Sequence, residues 1–201
     1  SGLRLIPHRR GTYPADVYAR MIPKESLEKQ LALHPGCRGA RLLQILVRHR
    51  GNPSDTDAKT KTEAAAELTK LLQEDFPEIT QGYVAEAWLK VADLYWELSA
   101  LSLKPEGKRD LLSKALAASL RALETDGRVD LIWHYCQTAT NFLRRLGRKK
   151  EILELWKEAE GRTNALLVTL HATGKELNYE QQNGAGRAWK DGSDDLWQVG
   201  F

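Results

Sequence analysis

Only two cysteines occur in this chain, Cys37 and Cys136, too few and too far apart for the disulfide framework on which small secreted domains rely. A reducing, cytoplasmic setting is therefore the expectation. Prolines number seven and glycines fifteen, which excludes a linker or a collagen-like chain. With 42% hydrophobic and 28% charged residues among 201, wholesale disorder is excluded as well. Long apolar runs are also missing. The stretch 165–170 is broken by Thr169 and ended by His171, far short of the roughly 18–20 uncharged apolar residues of a membrane span. A transmembrane role is excluded, and no membrane is expected among the partners. Ser1 and Gly2 read as a processing scar, so the chain is expected to be part of a larger protein or complex.

Charge is present in both signs but unevenly placed. The net charge is +3, yet residues 1–50 hold ten Lys and Arg against three acids, leaving residues 51–201 net negative. A basic end of this kind attracts nucleic acid, an anionic surface or an acidic protein. Arg41 and Arg48 are its candidate contacts.

Hydrophobic periodicity supplies the organisation. Between Pro14 and Arg50 the pattern predicts three short helical pieces separated by Pro23 and by the turn His34-Pro35-Gly36, the third dense in Leu42, Leu43, Ile45, Leu46 and Val47. Residues 51–57 carry turn chemistry and N-cap residues, and the boundary between a basic N-terminal segment, 1–57, and a helical domain, 58–173, is placed there. Beyond it the apolar stripes repeat. Ala65, Leu68, Leu71, Leu72 and Phe76 predict a helix that Pro77 stops, and Val84, Trp88, Val91, Tyr95 and Leu98 a second. Leu111, Leu112, Ala115, Leu116, Ser119, Ala122 and Leu123 come next; then Val129, Ile132, Trp133, Cys136, Ala139, Leu143 and Leu146, closed by Gly147 as a C-terminal cap. Ile152, Leu155, Trp156 and Ala159 mark another, and a further apolar helical stretch runs from Gly161 to Gly174, with Gly161 either a break or an interior residue. No segment has strand periodicity. The class is all-α, with short connections that make neighbours antiparallel.

The stretch Ala85 to Tyr95 resembles the first helix of a tetratricopeptide repeat, with Trp88, Ala92 and Tyr95 at that family's aromatic, small and aromatic positions. Its partner helix is expected over Lys114 to Thr125, with Ala115 and Ala122 at small positions, Ser119 where an aromatic is usual, and Gly127 in place of the closing proline. A second unit comes after it, with Gly147 at its turn and Trp156 and Ala159 in its second helix. The resemblance covers roughly residues 84–160, with about ten residues more between the two helices of the first unit than a regular unit of about 34 holds. It implies stacked helical hairpins, a short α-solenoid with a binding face; a helical bundle in which the tryptophan and alanines merely pack is the alternative.

The residues that could carry chemistry point elsewhere than catalysis. His34 with Cys37 and His134 with Cys136 total four zinc-type ligands, but residues two apart on a helix diverge by about 200°, so His134 and Cys136 do not converge on one ion. Cys136 reads as core, His34 as a turn residue, and no metal or cofactor is expected. Neither cysteine stands in a nucleophile motif, the carboxylates Glu151, Glu154, Glu158 and Glu160 read as a solvated face, and Gly184-Ala185-Gly186-Arg187 comes after no strand. Asp191, Ser193 and Asp195 lack the glycine and glutamate of a calcium loop.

Two features remain. Arg144, Arg145, Arg148, Lys149 and Lys150 place five cations in seven residues, a contact for phosphates or an acidic segment, with Arg144 and Arg145 also suited to a helix C-terminus. The tail, 174–201, carries Trp189, Trp197 and Phe201, aromatics that call for a pocket either in this chain or in a partner. The expectation is a non-enzymatic adaptor or scaffold domain whose helical-repeat surface binds a partner protein segment. The alternative is a nucleic-acid-associated helical protein using the basic N-terminal region.

Overall fold

The computed structural model describes residues 24–48, 57–74, 81–126 and 129–175, together with Gln182, Gly186 and Lys190. Among the described residues all regular structure is helical: α1 (Lys24–Leu33), α2 (Arg38–Arg48), α3 (Ala58–Leu71), α4 (Gln81–Leu101), α5 (Pro105–Thr125), α6 (Val129–Leu146) and α7 (Lys149–Ala172). Each helix packs on the next where both are described, α1 on α2 through to α6 on α7, and α2 also reaches α4.

The local reasons are legible residue by residue. The expected turn at His34 forms, with the Cys37 amide donating to the His34 carbonyl at 2.9 Å, and α2 takes up the dense apolar run as a helix that buries Leu42 and Ile45. Asp57 caps α3 by accepting from the Thr60 amide at 2.7 Å, a bond that holds its carboxyl below the usual carboxylate pKa. The end of α3 departs from expectation. It stops at Leu71 rather than running to Pro77, because Leu72 closes the helix and Gln73 and Glu74 turn back on the carbonyls of Lys70 and Leu71.

A larger correction concerns the hairpin of α4 and α5. The expected long link shrinks to residues 102–104, and the partner helix begins at Pro105 rather than Lys114. Proline lacks an amide hydrogen and holds the φ that a first helical turn needs, so Pro105 starts α5 instead of sitting in a loop. This is the most extensive helix pairing among the described residues. Ala85 and Ala92 on α4 and Ala115 and Ala122 on α5 have no exposed surface, and residues this small let helices approach closely. Trp88 and Tyr95 are only half-buried, packed against the core.

Gly147 ends α6 as expected. Its φ of +73° belongs to the left-handed region, its amide donates to the Arg144 carbonyl at 3.0 Å, and the Arg148 amide donates to the Leu143 carbonyl at 2.9 Å. The buried stripe of α6 is Ile132, Tyr135, Cys136, Ala139, Thr140, Phe142 and Leu143, whereas Trp133 is half-buried at its flank. Gly161 does not interrupt α7, which runs on to Ala172. At 24 residues against 18, α7 outreaches α6 by about 9 Å at 1.5 Å per residue. Beyond Thr163 no side chain of α7 is buried, and Val168 is 70% exposed.

Candidate functional site

The five cations around Gly147 occupy the last turn of α6 and the first turn of α7, and the fold divides them into distinct roles. Arg145 lies over the Trp96 ring of α4, its Cζ 3.9 Å from the ring centroid. Trp96 in turn meets Phe142 with ring centroids 5.9 Å apart. These contacts join α4 to α6, alternate helices of the chain, and they turn Arg145 into a strut as well as a surface charge. Arg144 is half-buried, and its carbonyl accepts the amide of Gly147. Arg148 forms a two-pronged pair with Glu151, donating from Nε and Nη2. Lys149 and Lys150 are exposed and make no ion pair with the described residues.

The N-terminal candidates lie apart from that turn. Arg41 is exposed on α2 and reaches Glu67 at 3.4 Å, and Arg38 pairs with Glu74 at 3.0 Å, so the carboxylates of Glu67 and Glu74 offset part of the basic charge. Among the described residues, α2 packs on α1, α3 and α4 and not on α6 or α7, so Arg41 is not brought to the Gly147 turn. The side chain of Arg48 lies outside the described residues, as do Trp189, Trp197, Phe201 and the segment 191–195. Of the short glycine-rich stretch only Gly186 is described, helical and exposed.

The histidines and cysteines stay separate. His34 is exposed in the α1–α2 turn and Cys37 is partly buried, while Cys136 is fully buried in α6. No group of three metal-ligating side chains gathers among the described residues. His134 lies between its neighbours Trp133 and Tyr135, with ring centroids 5.5 and 6.1 Å away, and burial lowers its pKa from 6.5. Glu151, Glu154, Glu158 and Glu160 lie toward solvent as expected, Glu158 pairing with Arg162. Arg162 also donates to the Leu123 carbonyl at 3.0 Å, tying α7 to the end of α5.

Three polar or aromatic positions escape a reading of the sequence. Lys61 is buried and pairs with Glu97 of α4 at 2.7 Å. A signal for it exists, because Lys61, Ala65, Leu68 and Leu72 are spaced four, three and four apart and place the lysine on the apolar stripe. Asp126 accepts from the Tyr135 hydroxyl at 2.7 Å, a buried bond that fixes the α5–α6 corner. Tyr135 lies one residue from Cys136 on the stripe, but nothing in the sequence points it at Asp126. Trp96 joins α4 to α6, and its adjacency to Tyr95 conceals that it faces a different neighbour.

Comparison of the chain with protein-family models, with curated proteins and with solved structures finds no match.

Proposed function

We propose that this chain is a non-enzymatic interaction domain, a tetratricopeptide-like stack of helical hairpins that binds a segment of a partner protein and serves as an adaptor or scaffold. The observation that carries the reading is the contact between alternate helices. α2 packs on α4, and Trp96 of α4 meets Phe142 and Arg145 of α6, an arrangement in keeping with hairpins stacked in series. A serial stack of helical hairpins forms an extended concave surface, which is the surface such a module uses. The charged contact is the Gly147 turn. Lys149 and Lys150 make no ion pair among the described residues and an acidic segment complements them, whereas Arg148 beside them is already paired with Glu151.

Affinity capture from the native source, with and without nuclease, tests this reading. A stoichiometric protein partner that survives nuclease is the expected result. Replacing Arg148, Lys149 and Lys150 with Glu weakens its capture without unfolding the domain, and unchanged capture removes the turn from the site. Loss of the partner on nuclease treatment, with residues 1–50 required, transfers the function to nucleic acid.

A further inference from the structure

The link between α4 and α5 is short and held in one shape. The Ser102 hydroxyl donates to the Lys104 carbonyl at 3.3 Å, and the Lys108 amide donates to the same carbonyl at 3.0 Å. A Cβ on Gly107 would begin 3.0 Å from the Ser102 Oγ, so the link lies close against the first turn of α5. This shape carries Leu103 outward with 99% of its surface exposed, and Leu101 beside it is 55% exposed. A single exposed leucine needs no explanation. Two of them at a fixed tip, next to a group of cations, do. Lys104, Lys108 and Arg109 are all exposed, and of the acids nearby Asp110 is held by Lys114 at 2.7 Å, leaving Glu106 as the opposing charge.

Topology adds a second group of cations to the same end. Trp96 stands five residues before the end of α4, and Arg145, one residue before the end of α6, lies over it. The α4–α5 link and the Gly147 turn therefore lie at the same end of these two helices, and Arg145, Arg148, Lys149 and Lys150 add cations to that end.

From this juxtaposition we infer that the end of the stack bearing these two turns docks on an anionic lipid surface, with Leu103 and Leu101 entering the apolar boundary and the cations meeting the headgroups. A nucleic-acid backbone would satisfy the cations but leave Leu103 in water, and a protein partner would need a pocket shaped to a protruding tip. A lipid surface accepts a convex apolar tip without one and gains from each cation around it. The lack of a long apolar run excludes a span; surface docking requires none. The inference goes beyond partner binding, and its α4–α5 residues are not among those on which that reading depends.

The test is co-sedimentation of the full chain with vesicles of phosphatidylcholine, with and without about 30% phosphatidylserine, a composition that sets the negative surface potential. The expected result is binding to the anionic vesicles only, weakened by salt. Leu103→Ser reduces the partition about tenfold, the loss of one buried leucine side chain. Lys104→Glu with Lys108→Glu and Arg109→Glu reduces it at least 100-fold, at about fivefold or more per cation removed. Both variants change exposed residues, and circular dichroism confirms that each remains folded. Absence of wild-type binding, equal binding to neutral vesicles, or anionic binding indifferent to Leu103→Ser and to the triple reversal each overturns the inference. Binding of a polyglutamate peptide with the same variant sensitivity, and no binding of vesicles, overturns it in favour of an acidic protein ligand. Partner capture that persists in Leu103→Ser separates this outcome from failure of the partner-binding reading.

Discussion

Uncoupling Trp96 from Arg145 tests the contact on which the serial stack rests. The guanidinium lies 3.9 Å from the ring centroid, well inside cation–π range, but Arg145 is exposed, so the pair is worth about 0.5–1 kcal/mol. The tilted Trp96–Phe142 pair, at 5.9 Å, adds a similar amount, about 0.5–1.5 kcal/mol beyond its buried area. Trp96→Leu loses both, and Arg145→Gln loses only the first. Urea unfolding of the wild type, Trp96→Leu, Arg145→Gln and the double variant closes a cycle whose coupling should be about 0.5–1 kcal/mol. A matching cycle of Trp96 with Lys149, which makes no ring contact with it, should give no coupling. Denaturant midpoints suit the measurement better than melting temperatures, because 1 kcal/mol moves the melting point of a domain this size by only about 2–4 °C. A Trp96–Arg145 coupling indistinguishable from the Lys149 control would show that Arg145 does not act as a strut on Trp96, and the α4–α6 contact would then rest on the Trp96–Phe142 pair alone.

The backbone and a half-buried imidazole yield further predictions. Gly147→Ala forces an L residue to a φ of +73° and should cost about 1–2 kcal/mol. Gly161→Ala, in mid-helix with nothing within 4 Å of the added Cβ, should stabilise by about 0.5–1 kcal/mol; equal signs in urea unfolding would contradict the two assignments. Burial holds the His134 pKa below 6.5, so protonation opposes folding: stability is whole above 6.5 and declines as the pH falls from there toward the lowered value. His134→Gln should flatten that decline, and identical pH profiles for wild type and variant would remove His134 as its cause.

Whether a feature was legible in the sequence depended on whether its signal was local. Helix α4 was readable because Val84, Val91 and Leu98 recur at seven-residue spacing, and the end of α6 because a glycine stands just after the last periodic residue. The early end of α3 was not readable, since Leu72 and Phe76 extend the periodic pattern past the point where the chain turns. Pro105 was legible in principle, because a proline just ahead of a periodic apolar run suits the first helical turn as well as it suits a loop. The cationic run at Gly147 was plain in the sequence, but its division into a strut, a paired arginine and two exposed lysines was not.

By itself, then, the order of residues determined the all-helical class, most helix positions and the glycine cap, because 3.6-residue periodicity and capping act within a few residues of chain. Pairings across the chain were decided by tertiary structure alone. Lys61 with Glu97, Asp126 with Tyr135 and Arg145 over Trp96 join residues whose separation in sequence says nothing of their distance in space. The placement of the leucine tip and the Gly147 turn at one end belongs to the same class, since only the contacts of Trp96 with Phe142 and Arg145 relate the ends of α4 and α6.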